Sequence, residues 1–160
     1  MADRKTLILG LGNEILSDDG IGPRLVKDLT GMLEDSGLQF ETACCGGLEI
    51  MEILRDFDRA IFIDAVRTRN NEPGTVYYFK HSDFMETSNL SNLHDVNFLT
   101  ALKLGETLKL DITSDLHIIA IEIIEDLDFS EELTPVMNKM YPEILAKVHD
   151  LISQILNNQL

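Results

Sequence analysis

The chain has 160 residues, of which 44% are hydrophobic and 26% are charged; this composition excludes wholesale disorder and fits one folded domain, residues 1–160. Its 28 acidic and 13 basic residues give a net charge of −15 at pH 7. Nucleic acids and anionic membranes are bound through surplus Lys and Arg, so this charge argues against both as partners.

Apolar runs and amphipathic stretches alternate through the first half of the chain. Apolar runs predict buried strands at 6–10 and 60–64, and a short second strand is predicted at 40–43. Apolar residues at helical spacing predict helices at 21–33 and 48–57. The first of these helices has Pro23 in its first turn, a position that proline favours.

The second half of the chain continues this alternation. The run 75–79 is rich in β-forming residues and is predicted to be an edge strand. Helical spacing returns at 96–104. The segment 116–124 is the most apolar strand candidate of the chain.

The last predicted element is a long C-terminal helix. It is expected to begin with Thr134 as its cap and Pro135 in its first turn. Apolar residues recur at helical spacing through 136–155, with a bend expected at Pro142.

Strands that alternate with helices at this spacing predict βαβ units. We therefore expect an α/β fold, a three-layer α-β-α sandwich with a mostly parallel twisted sheet of about five strands and one antiparallel edge strand. Ligands bind such sheets in the crevice beyond the carboxyl ends of the strands. A site is therefore expected just after the first three strands and before the helix near residue 96.

The cellular location is predicted from what the sequence lacks. The opening MADRKTLILGLGNE has no apolar core ahead of a small-residue cleavage site, as a signal peptide would have. No apolar run approaches the roughly 20 residues of a membrane span. The two cysteines, Cys44 and Cys45, are adjacent and cannot form a disulfide framework. We expect a cytoplasmic protein.

The first loop, residues 10–20, lies where a dinucleotide fingerprint would lie. Ile15 occupies the position of the fingerprint's third glycine, and the loop carries three carboxylates that would repel a pyrophosphate. Nucleotide binding is therefore disfavoured. Turn formation and helix capping would also explain Asp18 and Asp19.

Asp64 directly follows the apolar run of the third predicted strand, so it is expected at a carboxyl end. A carboxylate there must be paired, bind a cation or cap backbone amides. His94 lies in a loop before a predicted helix and could fold over the strand ends. The other histidines are His81 in a polar stretch without an evident partner and His117 and His149 within predicted elements, where structural roles are expected.

Asp19, Asp64 and His94 are therefore expected to converge on one crevice. Two carboxylates and an imidazole with open positions suit nickel, zinc or iron. Cys44 and Cys45 end the second strand, either near the same rim or as buried fillers. The acidic segment 122–132 is predicted to be a solvated rim.

The loop Gly10-Leu-Gly-Asn-Glu-Ile-Leu-Ser-Asp-Asp-Gly-Ile-Gly22 resembles the N-terminal signature of the hydrogenase maturation endopeptidases. This similarity continues in order along nearly the whole chain. It includes Cys45-Gly46-Gly47, Ile63-Asp64-Ala65, Pro73-Gly74-Thr75, His94 and Leu133-Thr134-Pro135.

The resemblance implies an endopeptidase that removes the C-terminal extension of a [NiFe] hydrogenase large-subunit precursor after nickel insertion. It places the catalytic and metal-contacting roles on Asp19, Asp64 and His94, with nickel presented by the precursor or another divalent metal bound in the isolated protein. Asp19 stands where the family often has Glu. Asp19 would also serve as general base if the Asp18 charge raises its pKa.

Two alternatives remain open at this point. A nickel-checkpoint assembly factor would dock on the precursor through the same residues without cutting it. The Gly-Leu-Gly-Asn start is also similar to peptidyl-tRNA hydrolase, but that family continues Asn-Pro-Gly, whereas Glu14 follows Asn13 here. The charge of −15 further opposes tRNA binding.

Overall fold

The computed structural model describes residues 4–44, 48–68, 71–86 and 104–160. The described strands are β1 (Thr6–Leu11), β2 (Leu38–Ala43), β3 (Arg59–Val66), β4 (Val76–Lys80) and β5 (Leu116–Glu122). The helices are α1 (Ile21–Leu29), α2 (Leu48–Leu54), α3 (His81–Glu86) and the C-terminal helix (Pro135–Leu156). A 3-10 helix, Ser17–Gly20, precedes α1, and residues 104–107 are also helical.

The five strands form one sheet in the order β2-β1-β3-β5-β4. β1 pairs in parallel with β2 and β3, and β3 pairs in parallel with β5. β4 runs antiparallel to β5 at the edge of the sheet. The predicted mostly parallel sheet with one antiparallel edge strand is therefore confirmed.

Helices cover both faces of this sheet. Alternate residues of a strand point to opposite faces, so Ile8 and Leu9 of β1 enter different cores. The first core contains Ile8 and the buried residues of α1 and the C-terminal helix. The second core contains Leu9 and the buried residues of α2, Met51 and Leu54 among them. This arrangement is the predicted three-layer α-β-α sandwich.

Several element boundaries differ from the sequence expectation. β3 continues to Val66, two residues beyond its predicted end at Asp64, because Ala65 and Val66 are also buried. α1 ends at Leu29 well before Gly37, and Met32 beyond it is 48% exposed. α2 similarly ends at Leu54.

The start of the C-terminal helix was predicted correctly, but the role of its cap was not. Thr134 occupies the cap position ahead of Pro135, yet its side chain makes no hydrogen bond to the helix. Its hydroxyl instead donates to Asp18 Oδ2 at 3.0 Å. The helix continues through Pro142 without interruption.

Two further predictions concern segments that the structure covers only in part. The motif Cys45-Gly46-Gly47 lies outside the described residues, and so does most of the helix predicted at 96–104. Among the residues that are described, no helix is long and apolar enough to cross a membrane.

Candidate functional site

The first loop leaves β1 through Gly12, whose backbone only glycine adopts readily. Its φ is +141°, and a Cβ on this residue would lie 2.0 Å from the carbonyl oxygen of Asp19. The Gly12 N–H donates to the carbonyl of Ala43 at 3.1 Å. Gly12 therefore joins the end of β2 to the backbone of Asp19 in one tight contact.

Replacing Gly12 with alanine is expected to destabilise the protein by about 1–3 kcal/mol, the typical cost of one strained backbone position. The new methyl group would also displace Asp19. Urea unfolding measures the change in the free energy of unfolding. Gly31→Ala is the matched control, because the nearest atom to its Cβ, the carbonyl oxygen of Asp28, is 3.8 Å away. Equal effects of the two substitutions would contradict the prediction.

The Asp19 carboxylate bonds to the backbone at the other end of this loop. Its Oδ2 accepts the backbone N–H of Asn13 at 2.7 Å, and the residue is half-buried. The Asn13 side chain accepts the N–H of Ile15 at 3.2 Å. The loop thus fixes Asp19 through side-chain bonds to backbone, as turn-forming Asp and Asn residues do.

Asp18 has a different role from its neighbour. It is fully buried and its carboxylate accepts four hydrogen bonds. The donors are the N–H groups of Ile124 (3.3 Å), Glu125 (3.1 Å) and Thr134 (2.7 Å) and the Thr134 hydroxyl (3.0 Å). Asp18 therefore ties the first loop to the segment between β5 and the C-terminal helix.

Asp64 lies near the carboxyl end of β3, opposite Ala120 of β5. It is half-buried between fully buried strand residues. Its Oδ1 accepts the N–H of Ala65 at 2.8 Å. The expectation that Asp64 stands at the carboxyl end of a buried strand is confirmed, with two more strand residues beyond it.

Gly22 brings the first loop against the ends of two strands. A Cβ here would lie 2.4 Å from the carbonyl oxygen of Leu11 and 2.5 Å from that of Ile63. Any side chain would push the start of α1 away from β1 and β3. Because Asp19 lies just before α1 and Asp64 just after Ile63, this contact holds both aspartates at the same edge of the sheet.

The remaining predicted ligand, His94, lies outside the described residues, and so does Cys45. Cys44 is exposed at the end of β2. Within the described part of the chain, no three His, Cys, Asp or Glu side chains are grouped as a metal site. The convergence of Asp19, Asp64 and His94 therefore stays a prediction, as do their catalytic and metal-contacting roles.

The acidic segment 122–132 was predicted to be a solvated rim; residues 127–129 and 131–132 are exposed, but the start of the segment is buried. Glu122 is 1% exposed and accepts three hydrogen bonds, from the Thr68 N–H (2.7 Å), the Thr68 hydroxyl (2.9 Å) and the Tyr77 hydroxyl (3.0 Å). Burial and the bond to Glu122 raise the pKa of Tyr77. Asp126 pairs with Arg67 at 2.9 Å. These carboxylates bind the loop after β3 to β4 and β5.

Glu125 organises the next part of this segment. Its Oε1 accepts the N–H groups of Leu127 (2.8 Å), Asp126 (3.1 Å) and Asp128 (3.2 Å). These backbone bonds, that from Leu127 foremost, lower the pKa of Glu125. The segment is therefore a structured turn, held by one ionised carboxylate, and residues 127–129 are exposed on it.

Three exposed apolar residues make up an apolar rim: Ile15 on the first loop, and Leu127 and Phe129 on the 122–132 segment. Their exposed fractions are 47%, 74% and 84%. The Ser130 N–H donates to the Ile15 carbonyl at 3.0 Å, and the Ser17 N–H donates to the Ser130 carbonyl at 2.8 Å. These bonds hold the first loop and the 122–132 segment together and keep the rim next to Asp19.

Histidines outside the predicted site have structural partners. His81, for which no partner was expected, lies 3.1 Å from Glu106 through its Nε2 atom. His117 is buried in β5 and bonds to Asp115 and Tyr78, as expected for a structural histidine. The sequence could not reveal the first contact, because its two residues lie on separate elements.

A family model described as hydrogenase maturation protease matches residues 23–156 of this chain. The matched span includes Asp64 and His94, whereas Asp19 lies just before it.

Two relatives and one solved structure are similar to the chain. The Hydrogenase 2 maturation protease of Escherichia coli is 33% identical over 84 residues, covering 49% of each chain. The hydrogenase expression/formation protein HupD of Thiocapsa roseopersicina is 28% identical over 157 residues, covering 96% of this chain and 70% of HupD. The structure of the hydrogenase maturating endopeptidase HybD from E. coli superposes with a TM-score of 0.70 at 24% identity, covering 90% of this chain and 89% of HybD. The match thus spans about half the length of the first relative, and the structural likeness establishes the fold.

Proposed function

Because the chain belongs to the hydrogenase maturation protease family, we propose that it is an endopeptidase that removes the C-terminal extension of a [NiFe] hydrogenase large-subunit precursor after nickel insertion. The family match over residues 23–156 is the observation that carries this proposal. It also favours the hydrogenase maturation proteases over the peptidyl-tRNA hydrolase alternative. A cytoplasmic location stays a prediction.

In this proposal the nickel ion belongs to the substrate, and Asp19, Asp64 and His94 contact it. Carboxylate oxygens and an imidazole nitrogen are suitable ligands for divalent nickel. The two described residues support this assignment, because both are half-buried carboxylates at the carboxyl edge of the sheet, where such folds bind ligands. An ion shared by two proteins makes the affinity for a loaded precursor much higher than that for an empty one.

The surroundings of the proposed site suit a protein substrate. The apolar rim of Ile15, Leu127 and Phe129 offers contact area to a partner chain. The exposed carboxylates of Asp128, Glu131 and Glu132 would favour a precursor surface that carries Lys or Arg. Both features lie on the segments that meet beside Asp19.

The function is tested with a nickel-loaded and a nickel-free large-subunit precursor from the same organism. Each precursor is incubated with the protein, and its intact mass is recorded before and after. We expect the loaded form alone to lose a short C-terminal peptide. An unchanged mass with tight binding of the loaded form would favour a docking factor, and an unchanged mass without binding would overturn the proposal for that precursor.

A further inference from the structure

The apolar rim carries the largest exposed side chain of the segment that follows β5. Phe129 is 84% exposed and Leu127 is 74% exposed on that segment. The hydrogen bond from the Ser130 N–H to the Ile15 carbonyl brings the backbone of Ile15 within one residue of Phe129. Large apolar side chains that are exposed together, and not singly, are typical of surfaces that contact another macromolecule.

The backbone under the rim is fixed at both ends. Asp18 accepts the N–H of Glu125 at 3.1 Å and that of Thr134 at 2.7 Å, so it holds the start and the end of the segment that carries Leu127 and Phe129. Glu125 Oε1 in turn accepts the Leu127 N–H at 2.8 Å. Because this backbone is already ordered, little conformational entropy is lost when a partner binds, and more of the contact energy appears as affinity.

The shape of the rim indicates a folded partner. Most of the surface of Leu127 and Phe129 is exposed, so both side chains protrude from the turn and do not line a groove. Protruding aromatic anchors contribute to affinity by filling a pocket on the partner. An extended C-terminal peptide has no such pocket, whereas the folded body of a large subunit can form one.

Charge favours a precursor over a second copy of this chain as that partner. The segment 122–132 contains six carboxylates and no Lys or Arg. Three of these carboxylates are exposed: Asp128, Glu131 and Glu132. A second copy would bring a further net charge of −15, and like charges that face each other weaken association. A pocket bordered by Lys or Arg would instead complement both the apolar and the acidic side chains.

We propose that the apolar rim docks into an apolar pocket, bordered by Lys or Arg, on the folded body of the hydrogenase large-subunit precursor, and that it does so whether or not the precursor holds nickel. The inference rests on the proposed function. The rim side chains are hydrocarbon and have no atom that binds a metal ion, so their contact is the same in both forms. An interaction made equally with both forms raises both affinities by one factor and leaves the difference between them to the ion. The nickel-free precursor is therefore a competitive inhibitor.

A competition experiment tests this proposal. Cleavage of the loaded precursor is monitored by intact mass at rising concentrations of nickel-free precursor, and binding of the nickel-free precursor alone is measured by biolayer interferometry. Phe129→Ala is expected to raise the KM for the loaded form and the Ki of the nickel-free form by the same factor, about 10-fold or more, with kcat unchanged. Leu127→Ala is expected to act in the same direction with a smaller effect.

Leu108→Ala is the matched control for these two variants. Leu108 is 58% exposed and precedes β5, whereas the rim segment follows that strand. We expect this variant to leave both constants at their wild-type values. Truncating an exposed side chain leaves the fold intact, which a thermal melt of each variant verifies.

The docking surface and the proposed function can fail separately. Unchanged KM and Ki in both Phe129→Ala and Leu127→Ala would overturn the docking surface, even where the wild type cleaves the loaded precursor. A wild type that cleaves neither form would overturn the proposed function for that precursor, and binding of the nickel-free form would still test the rim. A rise in KM without a rise in Ki would overturn docking that is independent of nickel. A change of oligomeric state in Phe129→Ala at unchanged precursor affinity would show that the rim joins copies of this chain, and the proposal would be wrong.

Discussion

Asp64→Asn is expected to lower cleavage of a nickel-loaded precursor by about 10- to 100-fold while the protein stays folded. The amide has the size of the carboxylate but lacks its charge, and a hydrogen bond or ligand contact of a charged group contributes about 1.5–3 kcal/mol. The loss should appear as weaker discrimination between loaded and empty precursors, because the proposed contact is with the nickel ion. Single-turnover cleavage, monitored by intact mass, gives the cleavage rates of the loaded and the empty precursor.

Asp56→Asn is the matched control for this substitution. Asp56 is exposed and precedes β3, so it lies at the opposite end of the same strand. We expect the Asp56→Asn variant to cleave the loaded precursor at the wild-type rate and to prefer it over the empty precursor as strongly as the wild type does. If Asp64→Asn cleaves the loaded precursor as fast as Asp56→Asn, Asp64 has no part in recognition or cleavage, and the assignment of the site fails.

The position of Asp64 could be predicted from the sequence because it depends on local pattern. A continuous apolar run reads as a buried parallel strand, and the carboxyl end of such a strand is where α/β proteins bind ligands. The same reasoning located Asp19 after β1. The strand order could not be read directly, since the pairing of β4 with β5 joins segments that are distant in sequence.

The sequence was least informative where a polar residue acts through distant partners. Glu122 ends an apolar strand and starts an acidic run, and composition alone assigned it to the solvated rim. Its burial depends on Thr68 and Tyr77, which arrive from two other segments to satisfy both carboxylate oxygens. A buried carboxylate is tolerated only with such partners, and these form in the folded chain. The side chain of Thr134 was predicted to cap the C-terminal helix for the same reason, since its actual partner, Asp18, is distant in sequence.

Asp18→Ala is expected to destabilise the protein by about 3–5 kcal/mol, because each buried donor left without an acceptor costs about 1–3 kcal/mol. Three backbone N–H groups, those of Ile124, Glu125 and Thr134, would lose their acceptor while the chain around them stays closed. For a domain of this size, each kcal/mol lowers the melting temperature by about 2–4 °C. A fall of roughly 6–20 °C in a thermal melt is therefore expected.

Two further variants separate this network from a general effect of losing charge. Thr134→Val removes only the hydroxyl bond to Asp18 and should cost about 1 kcal/mol. Asp128→Ala removes an exposed carboxylate from the same segment and should change stability by at most about 0.5 kcal/mol. A loss below about 1 kcal/mol for Asp18→Ala would mean that water or a rearranged loop replaces the carboxylate. The hydrogen bonds of Asp18 to the segment after β5 would then not be needed to keep Asp19 beside β3.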